Sequence, residues 1–153
     1  MLSRPTTEQI LLDCARELME GVLPALTDET AQVRVIMIET VLRNMAVRAA
    51  HEVGWMVEEI ASIEEFVAAV AAAVPGDDAV RDTAARLAAA PHEPGDLDAV
   101  VATYGMAGKA FSAALEAAVV GDLTGLVARG EDLLELRCAR ETEVMAGWSP
   151  TGR

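Results

Sequence analysis

Apolar residues recur along this chain at three- and four-residue intervals, and no Val/Ile/Tyr-rich alternating run bounded by turns interrupts them. The pattern predicts helix nearly throughout, divided by its breakers. A first helix is expected from about Thr7 to Leu23. Thr6 can cap it, with Gln9 three residues on in capping-box spacing, and Leu11, Ala15, Leu18, Met19 and Val22 fall at helical intervals. Pro24 ends it, because proline has no N–H and disfavours helix at the residue before it. A second, longest helix is expected from about Asp28 to Ile60, capped by Thr27 and Asp28. Ala31, Val35, Ile38, Leu42, Met45, Ala49, Val53, Met56 and Ile60 make one broad apolar face of it, and Ile36, Val47 and Val57 a second, nearly opposite. A helix apolar on two sides is either central in a bundle or sits at a subunit interface. Gly54 offers a place for a bend.

A third helix is expected from about Ile63 to Val74, opened by a Ser62/Glu65 capping box and closed by the turn Pro75-Gly76-Asp77-Asp78. A fourth follows from about Asp78 to Ala90, with a thin face at Val80, Ala84 and Leu87. Pro91-His92-Glu93-Pro94-Gly95 reads as a rigid loop. A fifth helix begins after an Asp96 cap and runs to about Val120, with Gly121 in the usual C-terminal position. A sixth spans about Leu123 to Met145, weakened by Gly125 and Gly130, and a tail begins at about residue 147. Connections are short, so neighbouring helices should pack antiparallel. The expectation is an all-α fold: one domain over 1–153, a compact bundle of five to six helices around the long second one.

Composition sharpens this picture. The chain holds 29 alanines and only 3% aromatic residues, so its helices must approach closely, with little bulky filler. Gly105, Gly108, Ala110, Ala114 and Ala117 are expected to form such a close contact. Twelve basic against 25 acidic residues leave a net charge of −13, which excludes a nucleic-acid binder of the electrostatic kind and argues against an anionic membrane surface. There is no uncharged apolar run of membrane-spanning length and no signal-peptide pattern, so a cytoplasmic protein is expected. In a reducing compartment Cys14 and Cys138 read as small buried hydrophobes. Residues 61–100 carry eight acidic and two basic side chains, a surface that could face a basic protein partner.

Most candidate chemistry fails on spacing. His51-Glu52 begins like a zinc-protease motif, but Trp55 stands where the second histidine belongs. Neither histidine has a glutamate three residues before it, so a carboxylate-bridged di-iron site is not expected either. Gly105-Met106-Ala107-Gly108-Lys109 lacks the first glycine and the final Ser or Thr of a phosphate loop. No serine sits in a nucleophile elbow. No metal, cofactor or catalytic residue is therefore assigned. What remains is the polar arc of the second helix, where Arg34, Asn44, Arg48, His51, Glu52, Glu58 and Glu59 share about a third of the circumference with Met37 and Trp55. Arg34, Arg48, His51, Glu52 and Trp55 could hold a small anionic ligand, or the same arc is the solvated face of an amphipathic helix.

The segment Arg4-Pro5-Thr6, Leu11-Leu12, Val22-Leu23-Pro24-Ala25-Leu26 and Val33-Arg34-Val35, opening a long helix, resembles a bacterial domain family of unknown function. Members of that family tend to be encoded beside aminoglycoside-phosphotransferase-like kinases and acyl-CoA dehydrogenases. The resemblance covers roughly the first 45 residues. It implies a helical accessory role with no catalytic residues to carry over. Together with the two-sided second helix, it leads to the expectation of a non-enzymatic interaction protein, a homodimer or higher homo-oligomer.

Overall fold

The computed structural model describes residues 4–90 and 96–145. Among them every regular element is helical: α1 (Thr7–Glu17), α2 (Glu29–Ala73), α3 (Asp78–Ala88), α4 (Leu97–Val120) and α5 (Thr124–Met145). The all-α class is as expected, with five helices among the described residues. The expected loop Pro91 to Gly95 and the tail with Trp148 lie outside the described residues.

Local chemistry sets the boundaries. Thr6 and Gln9 close the expected capping box on α1. Regular α-helix ends at Glu17, earlier than expected. The chain widens into a π-helical turn over Leu18–Val22, then tightens into a 3-10 turn over Leu23–Ala25 around Pro24. Asp28 caps α2 through the Ala31 N–H at 2.8 Å. The expected second and third helices are one helix of 45 residues. Ser62 starts nothing: its hydroxyl donates back to the Glu58 carbonyl at 3.0 Å, as serines inside helices do. Nothing lies within 4 Å of a Cβ built on Gly54, and the helix continues through it. Asp77 caps α3 by accepting from Ala79 and Val80, and Asp96 caps α4 by accepting from Asp98 and Ala99. Between α4 and α5 the left-handed residue is Asp122, at φ 51°, whereas Gly121 keeps an ordinary φ of −80°. Leu123 N–H bonds the Ala118 carbonyl and Asp122 N–H the Val119 carbonyl, the two bonds of a Schellman motif.

The chain divides into two compact units, Met1–Glu52 with Ala139–Arg153, and Val53–Cys138. The second holds a hydrophobic core of Ile60, Ile63, Phe66, Val67 and Val70 from α2, Val80 and Leu87 from α3, and Val100, Ala107, Ala110, Phe111, Ala114, Ala117 and Ala118 from α4. Phe66 and Phe111 meet at 5.3 Å between ring centroids. The close approach of α5 falls at Gly130, where an added Cβ would lie 2.7 Å from Leu115 and 3.3 Å from Phe66. The expected small-residue contact needs correcting to match. Ala110, Ala114 and Ala117 are buried, but a Cβ on Gly105 or Gly108 would meet nothing within 4 Å.

The first unit is built differently. Among its described residues the buried apolar side chains are Ala15, Val35, Ala46 and Val144, none larger than valine. The expected apolar face of α2 is not buried as one stripe: Ile38, Met45 and Val53 on it are exposed. The buried positions of α2 in the first unit are Val35, Glu39 and Ala46, and in the second Glu59, Ile60, Ile63, Phe66, Val67 and Val70. Cys14 and Cys138 are exposed, against the expectation of burial, because the buried face of α1 passes through the neighbouring Ala15 and α5 turns Cys138 outward.

Candidate functional site

The most constrained polar group lies in the second unit. Glu59 of α2, a member of the expected polar arc, is buried, only 7% exposed. Its carboxylate accepts from three donors on two other helices. Tyr104 of α4 donates its hydroxyl at 3.0 Å, and Arg137 of α5 donates Nε at 2.6 Å together with Nη2. The Arg137 guanidinium also stands over the Tyr104 ring, 5.7 Å from its centroid. Burial, and then the hydrogen bond to and charge of Glu59, raise the Tyr104 hydroxyl above its usual value. Burial alone would lower the Arg137 guanidinium, but the bonds to and charge of Glu59 outweigh it and leave it raised.

Both oxygens of Glu59 are engaged, so this trio ties α2, α4 and α5 to one another. The crevice beside it, lined by Ile63, Phe111, Leu133 and Leu134, leaves no space for a water-sized molecule. A second cavity is an open groove of about 560 Å³ between α2 and α3. It is walled by Val67, Ala68, Ala84, Ala85, Leu87 and Ala88, and Glu64 is its one ionisable lining residue. An anion entering it would meet a carboxylate.

The residues expected to bind a ligand lie elsewhere. Arg34 and His51 are exposed, and Arg48, Glu52 and Trp55 are half-buried. Arg34, Arg48, His51 and Glu52 belong to the first unit and Trp55 to the second. Arg48 donates to Glu52 at 2.5 Å and lies 3.9 Å from Glu141 of α5, two carboxylates against one guanidinium. None of the five lines the groove or the crevice. Among the described residues no three His, Cys, Asp or Glu side chains gather as a metal site would require, and no helix is long and apolar enough to cross a membrane.

The other unusual feature is apolar. On the first unit's part of α2, Val33 (56% exposed), Met37 (60%), Val41 (55%) and Met45 (41%) form an unbroken i, i+4 row, with Ile38 (51%) beside it. Ile38 and Met45 belong to the expected broad apolar face, whereas Val33 and Val41 lie outside both expected faces. Comparison with protein-family models, with curated proteins and with solved structures finds no match for this chain.

Proposed function

We propose that this chain is a non-enzymatic accessory or protein-interaction domain that works as a homo-oligomer. The reading is carried by one observation, the row of large apolar side chains bare to solvent on α2. Single exposed aliphatics are ordinary, but five contiguous ones on a helix face mark an interaction surface. The thin core of the first unit supports it, since association buries apolar surface that the unit does not bury for itself. The polar trio supports it from the other side, because a buried carboxylate bonded by Tyr104 and Arg137 ties three helices together. Service to a small-molecule kinase or an acyl-CoA pathway is part of the proposal, and rests on the resemblance of the first 45 residues alone.

Sedimentation velocity or light scattering on the full chain at micromolar concentration tests the association. The expected particle has at least twice the 16.1 kDa chain mass. A particle of one chain mass at every concentration, with no partner recovered from the native source, would sink the reading.

A further inference from the structure

We propose that a second copy of this chain docks antiparallel on the Val33–Met37–Val41–Met45 row of α2, about a twofold axis passing between Met37 and Val41. This rests on the homo-oligomer reading above and names the surface and the pairing.

Periodicity is the first argument. A row at i, i+4, i+8 and i+12 is the ridge that packs into the matching groove of another helix, and it extends about 18 Å. A twofold axis at its midpoint sets Val33 against the partner's Met45, and Met37 against the partner's Val41. The row is thus complementary to itself, as an isologous interface requires.

Charge selects the occupant. Two chains of net charge −13 repel over most of their surfaces. On α2 between residues 30 and 51 the only acidic side chain is Glu39, against Arg34, Arg43 and an Arg48 whose charge Glu52 and Glu141 meet. Glu39 is buried on the opposite side of α2 and paired with Arg43. Along the row from Val33 to Met45 two copies meet with no carboxylate of α2 facing another. Arg34 beside the row disfavours a basic partner. With the axis so placed, the two Arg34 side chains stand about five residues either side of it, roughly 15 Å apart along the helix and beyond one Debye length.

The helix itself gives the third argument. On the wheel the bare row lies away from the side of α2 that Val35, Glu39 and Ala46 bury. The five side chains expose on the order of 500 Å², near the upper end of the 300–600 Å² that monomers leave in one patch. A standard interface needs about 800 Å² per partner, which a rim of Thr30, Arg34, Asn44 and Arg48 can complete.

Met37→Glu and Val41→Arg test the pairing. Both positions are more than half exposed, so each variant should keep its helical circular dichroism and its melting midpoint. Each alone should fall to one chain mass in sedimentation, while Met37→Leu should stay dimeric. An equimolar mixture of the two charged variants should regain the dimer mass. In the mixed pair the introduced carboxylate faces the introduced guanidinium, and the other contact stays native. A wild-type dimer with both charged variants still dimeric overturns this surface and leaves the homo-oligomer reading standing. Dissociation of each variant without recovery on mixing overturns the antiparallel pairing. A wild type that is itself monomeric overturns the broader reading, and this one with it.

Discussion

Single residues carry much of the specificity in a chain so rich in alanine. Gly130 packs against Phe66 and Leu115, and the missing Cβ lets α5 come close. Gly130→Ala should destabilise the protein by about 1–2 kcal/mol, because crowding against a fixed aromatic outweighs the gain in helix propensity. Gly105→Ala should instead stabilise by about 0.5–1 kcal/mol, its Cβ meeting open space. Chemical denaturation of the two variants checks the opposite signs. Tyr104 gives a second handle, since it is the one tyrosine in the chain. Phenolate absorbance therefore reports it directly, and its midpoint should lie above the usual 10.0. Glu59→Gln should lower the midpoint without restoring it fully, because burial is the larger cause. The linkage sign follows from a hydroxyl whose folded pKa is raised. Its stabilising contribution is complete below pH 10 and is lost as the pH rises through the folded value. Tyr104→Phe should flatten that part of the alkaline loss.

At the scale of elements, caps and breakers were legible in the sequence because their chemistry is local. Thr6, Asp28 and Asp96 all bond the N–H groups expected of them, and Asp77, expected only in a turn, caps α3. The same local logic misread Ser62, whose hydroxyl found a carbonyl inside a continuing helix. It also gave Gly121 the helix-ending role that Asp122 fills. Asp122→Gly should raise stability by about 0.5–1 kcal/mol, since glycine takes a positive φ without the Cβ penalty, whereas a β-branched residue there should lower it. Thermal melts of Asp122→Gly and Asp122→Val separate the two. The face of α2 was less legible for a geometric reason. Its expected broad face ran from Ala31 to Ile60 and a separate helix was expected after Ser62, whereas Ile60, Ile63, Phe66, Val67 and Val70 continue one buried stripe on the same helix. Read from Ile60, Ile63, Phe66, Val67 and Val70 alone, the stripe includes Glu59, which marks it as a buried carboxylate in need of partners. Arg137 carries the same signal, four residues after Leu133 and seven after the buried Gly130.

For the whole molecule, the two units differ in what holds them. Val53–Cys138 closes on two phenylalanines, several branched aliphatics and a three-helix polar lock. The described part of the other unit buries no apolar side chain larger than valine. Amide exchange should register this directly, because protection follows local burial. Backbone amides around Phe66, Val70, Ala110 and Phe111 should exchange slowest, near the global limit. Those of α1 should exchange orders of magnitude faster, through local opening of a helix anchored by Ala15. Segment 33–45 distinguishes an intrinsically loose helix from one awaiting its second copy. If a second copy covers it, its protection must rise with protein concentration and fall in Met37→Glu, while the amides near Phe66 stay unchanged under both treatments. Protection of 33–45 that is independent of concentration would mean that α2 is held there by its own chain alone.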